Sequence, residues 1–174
     1  IYQKEGVLDT DRMRPLMAPR ADDELCDQAE IAVLAAKEAM ARANKTAADI
    51  DAVIVSCAYT QRAYPAIAIE VQAALGIDGF GFDMLVACSA ATFGLQRAYE
   101  MVTTGTAKCV LAINPELMSP QINYKSRDSH FIFGDVSIAT IVEAESTCTS
   151  KHAFEILSTK AFTKFSSNIR SNFG

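Results

Sequence analysis

The amino-acid sequence predicts an α/β domain built on a largely parallel sheet. Short apolar runs alternate along the chain with longer segments of helical periodicity, a pattern typical of strands joined by crossover helices. The strand runs are apolar at successive positions, which fits strands that are buried on both faces. The chain has 174 residues, of which 50% are hydrophobic, so it is long enough to bury one sizeable core.

The first predicted helix begins near Asp22 and ends at Asn44. Alanine recurs at helical spacing within it. Acidic residues 22–24 stand where the helix dipole favours negative charge, and asparagine adopts the left-handed conformation that ends many helices. Two prolines interrupt the preceding segment, so residues 1–21 are predicted to be irregular and the domain is expected to span residues 22–174.

The later elements follow in order, each bounded by a turn or a glycine. Glycine ends the second and third helices, at Gly76 and Gly105. The third helix is small or apolar nearly all round in its first turns, which predicts a buried helix. The polar residues 118–130 are predicted to form a loop. The predicted helices cover residues 66–75 and 89–104, and the predicted strands are DAVIVSC (51–57), FGFDMLVA (80–87), KCVLAINPE (108–116), VSIATIVEAE (136–145) and FEILSTKAF (154–162).

The composition argues against several functional classes. A formal net charge of −5 gives no basic surface for nucleic acid or an anionic membrane. No run approaches the roughly 20 apolar residues that would span a bilayer. The beginning of the chain, IYQKEGVLDTD, does not resemble a signal peptide, and because it lacks an initiator methionine the chain is expected to be cut or disordered upstream.

The five cysteines show no metal-binding spacing. No two of them form a CxxC pair, and only two histidines accompany them, so we expect no metal site. Cys57 and Cys109 lie within apolar strand runs and are expected to be buried. Free thiols of this kind are typical of a reducing compartment, which predicts a cytoplasmic protein.

Cys88 differs from the others because it stands where a predicted strand gives way to a helix. The unpaired N–H groups at a helix N-terminus stabilise a thiolate, and the same groups can hold a developing oxyanion. A free cysteine can equally be a small buried hydrophobe. The residues alone leave open whether Cys88 is a nucleophile or a core side chain.

Four blocks resemble the β-ketoacyl-acyl-carrier-protein synthase III family of the thiolase fold. They are YPAIAIEVQAALGI, VACSAATFGLQRA, KCVLAINPELMS and RDSHFIFGDVSIATIVE, and the resemblance extends over residues 22–145. It implies a thiolase-like layered α/β fold with a mostly parallel mixed sheet, this chain being the N-terminal half of a duplicated αβαβα architecture. It also implies a homodimer that transfers an acyl group from acyl-CoA to a cysteine. A decarboxylating Claisen condensation with malonyl-acyl carrier protein, in fatty acid biosynthesis, then follows without a separate cofactor.

The resemblance also assigns roles to five residues. It makes Cys88 the acyl-accepting nucleophile, with its own backbone N–H as one oxyanion donor. It places Tyr64 across the dimer in the partner's acyl pocket, and Ile132 and Phe133 in a pocket wall. It brings Arg127 to the nucleotide part of coenzyme A. The competing interpretations are a half-buried aromatic for Tyr64, ordinary core for Ile132 and Phe133, and a solvated loop charge for Arg127.

Two features limit what the resemblance implies. The family's catalytic His and Asn come from the second half, so this chain alone is expected not to catalyse condensation, and His130 is expected to be structural and His152 exposed. Residues 136–138 and 114–115 depart from the family's small residues, which puts the length of the acyl substrate in doubt. Two other classes stay open: another thiolase-fold acyltransferase, of the hydroxymethylglutaryl-CoA synthase or polyketide-starter type, and a non-catalytic half-subunit that supports a partner.

Overall fold

A computed structural model describes residues 8–128 and 130–168, and its main feature is a four-stranded sheet with helices on both faces. A short antiparallel pair, β1 (Leu8–Asp9) and β2 (Arg14–Pro15), precedes it. The helices are α1 (Asp27–Ala43), α2 (Ile67–Leu75) and α3 (Ala90–Thr103). The sheet strands are β3 (Ala52–Cys57), β4 (Phe80–Leu85), β5 (Cys109–Leu117) and β6 (Asp135–Glu143). The first seven residues of the predicted irregular segment 1–21 lie outside the described residues, and the division at residue 22 stays a prediction.

The sheet is mixed and mostly parallel, as predicted. Its strand order is β4-β3-β5-β6, with β3 parallel to both β4 and β5. Only β6 runs antiparallel, and its first residue, Asp135, pairs with the last residue of β5, Leu117. The beginning of β6 therefore lies at the edge of the sheet where the parallel strands end.

The sheet separates two hydrophobic clusters. Val53 and Val55 of β3 pack with α1 and α2 on one face. Ile54 packs on the other face with Ala98 and Met101 of α3. Every residue of β3 is buried, as predicted for strands covered on both faces. The same prediction is wrong for the two outer strands, because β4 has no buried residue and β6 has one. The predicted burial of Cys57 and Cys109 is also confirmed.

The first helix begins at Asp27, five residues later than the Asp22 predicted. Cys26 is its N-cap in an extended conformation, and the Cys26 Sγ accepts the amide N–H of Ala29 at 3.4 Å. The Cys26 amide itself donates to the Glu70 carboxylate at 2.9 Å. Because Cys26 is extended, the acidic residues before it lie outside the helix. The predicted ends are confirmed: Asn44 and Gly76 both adopt the left-handed conformation.

The predicted strand over residues 154–162 is not formed. This segment has no regular secondary structure, and its large apolar side chains are exposed, Phe154 at 97% and Phe162 at 84%. A strand is stable only when a neighbouring strand takes up its backbone hydrogen bonds, and within the described residues this segment has no such neighbour. The apolar pattern alone could not supply that partner.

The third helix buries a single stripe and not its whole circumference, so that prediction is wrong. Ala90, Gly94, Ala98 and Met101 are buried against the sheet. Ala91, Thr92 and Leu95 face away from the sheet and are exposed. The predicted strand 80–87 also ends early, at Leu85, because residues 87–89 form a tight 3₁₀ turn.

Candidate active site

All five predicted site residues lie at the edge of the sheet where the parallel strands end. Tyr64 follows β3, Cys88 follows β4, and Arg127, Ile132 and Phe133 belong to the connection between β5 and β6. Ligands of open α/β sheets bind outside the carboxyl ends of the strands. The topology therefore brings these residues to the edge that such folds use for chemistry.

Cys88 follows β4 and Phe133 precedes β6, and these are the two outer strands of the sheet. Because β3 and β5 lie between β4 and β6, the strand axes are about 14 Å apart, from three spacings of about 4.8 Å. No hydrogen bond or ion pair joins any two of the five predicted residues within the described chain. They share an edge without forming a contact network.

Cys88 is exposed on a strained turn between β4 and α3. The residue before it, Ala87, has a φ of 46°, a left-handed conformation that costs a non-glycine residue about 1–2 kcal/mol. The amide of Val86 donates to the Cys57 carbonyl at 3.3 Å, and the amide of Ser89 donates to the Val86 carbonyl at 3.0 Å. These bonds hold the turn against β3, so the thiol is presented at a fixed point.

One backbone donor beside the thiol, the amide of Cys88 itself, lies just before the N-terminus of α3. Ser89 is the N-cap, but its side chain makes no capping hydrogen bond. Among the described residues, no backbone acceptor takes the amide N–H of Cys88. Amides left free at a helix N-terminus can stabilise a thiolate or an oxyanion.

A glycine lets α3 approach β3 closely. A Cβ built on Gly94 would lie 2.8 Å from the Oγ and 3.3 Å from the Cβ of Ser56. Ser56 is 1% exposed, and its Oγ has no hydrogen-bond partner among the described residues. The close contact between Gly94 and Ser56 fixes the height of α3, and hence of Cys88, above the sheet.

Three of the other cysteines are buried and poorly ionisable. Burial raises the pKa of Cys26 to about 11 and the pKa values of Cys57 and Cys109 to about 12 each. Cys148 is partly exposed, in the irregular segment after β6. Among the five thiols, Cys88 alone is exposed, and it lies two residues before the start of α3.

Tyr64 stands at the tip of a loop whose beginning is firmly held. Its side chain is 84% exposed, so the structure does not support a half-buried aromatic. Gln28 is fully buried and its Nε2 donates to the carbonyls of Tyr59 (2.8 Å) and Pro115 (2.9 Å). Its Oε1 accepts the amide N–H of Gln61 at 2.9 Å. Every polar atom of this amide is therefore used to hold the loop that leads to Tyr64.

Asp83 is a half-buried carboxylate near the candidate site that the sequence interpretation did not single out. It lies in β4, half-buried, and its carboxylate accepts the amide N–H groups of Ile67 at 2.7 Å and Ala68 at 2.8 Å. Burial raises the pKa of Asp83, while the two amides counteract that effect. The signal was present in the sequence, because a single carboxylate interrupts the apolar run FGFDMLVA.

The residues between β5 and β6 form an exposed apolar surface. Phe133 is 38% exposed and Ile132 is 59% exposed, so neither is ordinary core in this structure. Arg127 is exposed on the same loop. His130 places its Nδ1 2.9 Å from the Ser126 carbonyl oxygen and lies edge-on to Phe131, as a structural histidine would. His152 is exposed, as predicted.

A shallow groove of about 440 Å³ lies elsewhere, between the segment before α1 and the outer face of α2. Asp22, Asp23 and Glu24 form its rim, and it contains none of the predicted site residues. Arg62 also lines the groove, which therefore carries charges of both signs.

The described residues show neither a cluster of metal ligands nor a membrane-spanning helix. Across the described residues, no group of three or more His, Cys, Asp or Glu side chains is arranged to hold a metal ion. In the same ranges, no helix combines the length and the apolarity needed to cross a bilayer.

Comparison with known proteins identifies relatives of one type. Residues 82–164 match the family described as 3-oxoacyl-[acyl-carrier-protein (ACP)] synthase III. The chain is 55% identical, over all of its 174 residues, to the beta-ketodecanoyl-[acyl-carrier-protein] synthase of Pseudomonas aeruginosa, and covers 50% of that protein. It is 40% identical over 138 residues to the beta-ketoacyl-[acyl-carrier-protein] synthase III of Granulibacter bethesdensis. That match covers 79% of this chain and 42% of the relative. The chain thus spans about half the length of the curated relatives it matches.

Solved structures share the fold. The 3-oxoacyl-[acyl-carrier-protein] synthase III of Aquifex aeolicus superposes with a TM-score of 0.67 at 29% identity, over 76% of this chain and 42% of that one. The priming beta-ketosynthase of the R1128 polyketide pathway superposes with a TM-score of 0.66 at 27% identity, over 78% of this chain and 40% of that one. The predicted thiolase-like α/β fold is confirmed.

Proposed function

We propose that this chain, which belongs to the 3-oxoacyl-[acyl-carrier-protein] synthase III family, is part of an acyl-transferring, condensing enzyme of fatty acid biosynthesis. The chain corresponds to the N-terminal portion of that family. The observation that carries the proposal is the position of Cys88. It is exposed, it follows the end of a parallel strand, and its own backbone amide, just before α3, has no backbone acceptor among the described residues. This arrangement suits a thiol that receives an acyl group from an acyl-CoA.

The first step is a thioester exchange at Cys88. Its Sγ attacks the thioester carbonyl, the carbonyl oxygen becomes an oxyanion, and the coenzyme A thiolate leaves as the acyl-enzyme forms. The free amide of Cys88 is a candidate donor to that oxyanion. Because the turn around Ala87 is held to β3, the Cys88 thiol and the Cys88 amide keep the same distance and orientation during the step.

The second step joins the acyl group to malonyl-acyl carrier protein. The malonyl group loses CO₂, the resulting enolate attacks the acyl-enzyme carbonyl, and the Cys88 thiolate is released with the β-ketoacyl product. Stabilising the enolate needs groups that a lone thiolate does not supply. We therefore keep the prediction that this 174-residue chain alone releases no CO₂.

The acyl donor is proposed to have a medium chain. The name of the Pseudomonas relative specifies a ten-carbon product, and decarboxylating condensation with a malonyl group adds two carbons, so that product requires an eight-carbon donor. We infer octanoyl-CoA as the donor for this protein, with Tyr64, Ile132 and Phe133 shaping the acyl pocket. Arg127 is proposed to contact the nucleotide part of coenzyme A.

The assembly and location follow the same proposal. The enzyme is a cytoplasmic homodimer, in which Tyr64 reaches the acyl pocket of the second subunit. The ring of Tyr64 is 84% exposed, so it is accessible to a second subunit. Five free cysteines are compatible with a reducing compartment.

The experiment is to incubate the native protein with octanoyl-CoA and measure the mass of the intact protein. We expect an added octanoyl group that maps to the Cys88 peptide and release of CO₂ when malonyl-acyl carrier protein follows. Cys88→Ala should remove the acyl group, while the matched control Cys148→Ala should retain it. An unchanged mass in the wild type, or an acyl group that persists in Cys88→Ala, contradicts the assignment.

A second candidate function is the priming step of a polyketide pathway, favoured by the structural similarity to the R1128 priming ketosynthase. That function uses the same acyl-enzyme and differs in the acceptor. Condensation with a polyketide carrier protein, but not with the carrier protein of fatty acid synthesis, would select it. A Cys88 that is inert to both thiol reagents and acyl-CoA would instead favour the non-catalytic half-subunit.

A further inference from the structure

The carboxylate of Asp83 links two parts of the candidate site. It lies in β4, five residues before Cys88, and accepts the amide N–H groups of Ile67 and Ala68 at 2.7 and 2.8 Å. Those amides are the first two of α2, and α2 begins three residues after Tyr64. The Asp83 side chain thus joins β4, which precedes Cys88, to α2, which follows Tyr64.

The second helix has no capping group of its own. Its N-cap residue is Ala66, which offers no side-chain acceptor. Ser, Thr, Asn or Asp normally satisfies the first amides of a helix from this position. Here a distant strand supplies the acceptor, and its negative charge also interacts favourably with the positive end of the helix dipole. The cap of α2 is therefore a tertiary contact, and its loss would release the helix from β4.

The loop between β3 and α2 is consequently held at both ends. At its beginning, Gln28 binds the loop backbone, and the Glu116 carboxylate accepts the amide of Ala58 at 3.1 Å. At its end, Asp83 holds the first turn of α2. Only the tip between these anchors, residues 63–65, is exposed, and the Tyr64 side chain is 84% exposed.

We infer that Asp83 is a positioning residue that sets the acyl-donor preference of Cys88 by fixing the loop that carries Tyr64 relative to β4. The inference rests on the proposed acyl-transfer function and adds to it a residue that touches neither substrate nor thiol. Pocket walls discriminate between acyl chains only when they are rigid, because close-packed surfaces resist even one additional methylene. Asp83 provides that rigidity through two hydrogen bonds.

The test compares Asp83→Asn with Asp51→Asn in the native enzyme. Asparagine is isosteric, but its amide nitrogen presents a donor to one of the two helix amides, so one bond is lost. Asp51 is a matched control, because its Oδ2 also accepts two backbone amides, of Lys108 and Cys109, at the opposite end of the sheet. If Asp83→Asn fails to fold, Asp83→Ser, which keeps a single hydroxyl acceptor, replaces it.

The first measurement is kcat/KM for acetyl-, octanoyl- and dodecanoyl-CoA. We expect Asp83→Asn to change the ratio between donors by about tenfold, and Asp51→Asn to leave it unchanged. In a double-mutant cycle, Asp83→Asn should add no further change to Tyr64→Ala, because both act through the same ring. Equal losses for all donors, additive effects with Tyr64→Ala, or no effect of Tyr64→Ala itself would each overturn the inference.

The second measurement does not depend on activity. Amide hydrogen exchange at Ile67 and Ala68 should accelerate about tenfold in Asp83→Asn, while exchange in α1 stays unchanged. Unchanged exchange at these two amides overturns the inference even if the enzyme is active. A wild-type protein that forms no acyl-enzyme refutes the proposed function instead, and the two failures are thereby distinguished.

Discussion

The clearest prediction concerns the relative reactivity of the cysteines. Native protein is treated with a small alkylating reagent, and the labelled peptides are quantified over time. Burial raises the pKa of Cys26 to about 11 and that of Cys109 to about 12. At about pH 7.5 such thiols are about 0.03% and 0.003% ionised, against about 10% for a thiol with the reference pKa of about 8.5. Ionisation alone therefore slows these two thiols by about 300-fold and 3,000-fold.

The same protein unfolded in denaturant provides the reference, because all five thiols are then equally accessible. We expect Cys88 to label at least about 100-fold faster than Cys26, Cys57 or Cys109 in the native state, and faster than the partly exposed Cys148. Cys88→Ser should remove the fast phase, whereas Cys148→Ser should leave it intact. First labelling at Cys26 or Cys148 would show that the argument from exposure and the helix N-terminus is wrong.

Four further substitutions test the packing and the specificity of the same fold. Tyr64→Ala should shift donor preference towards bulkier acyl groups without slowing thiol labelling; an unchanged donor profile would contradict a role for Tyr64 in the acyl pocket. Ser56→Ala should raise the free energy of unfolding by about 1 kcal/mol, because the hydroxyl that it removes is buried without a partner among the described residues. Gly94→Ala should lower the free energy of unfolding by about 1 kcal/mol, net of its gain in helix propensity, because the new Cβ would crowd Ser56. The loss should be smaller when Ser56→Ala is also present. Denaturant unfolding of the single and double variants checks this, and additive effects would refute the contact. Lys45→Met should cost about 3 kcal/mol, because it leaves the buried Glu143 carboxylate, 2.6 Å from the Lys45 Nζ, without its cation. That carboxylate raises the pKa of Lys45, so the ion pair stabilises the folded protein fully below the usual lysine pKa of 10.5, and this stabilisation is lost as the pH rises above it. If the wild type and the Lys45→Met variant lost stability equally between about pH 9 and pH 12, the assignment would be wrong.

Much of the architecture could be predicted from local patterns. Helical periodicity, short apolar runs and the residues that end helices each act within a few positions, so they predicted the alternating α/β order and the ends of α1 and α2. The position of Cys88 followed in the same way, because a strand that gives way to a run of small residues marks a turn into a helix. The resemblance of the surrounding blocks then added the family, which the comparisons support.

Local patterns were insufficient where an element depends on a distant partner. The start of α1 at Asp27 depends on Cys26, whose amide is held by Glu70 from another helix. Residues 154–162 carry an apolar pattern typical of a strand, but a strand also requires a free neighbouring edge, which the pattern does not encode.

The sequence by itself determined that this is an α/β chain with one thiol at a strand-to-helix turn, because periodicity and turn chemistry are properties of neighbouring residues. Only the tertiary structure decided that β6 returns antiparallel, so that Phe133 lies at the same edge as Cys88, and that Asp83 caps a helix which begins sixteen residues earlier. Strand register and caps between elements are set by the total burial and hydrogen bonding of the folded chain, and both join residues that are far apart in sequence.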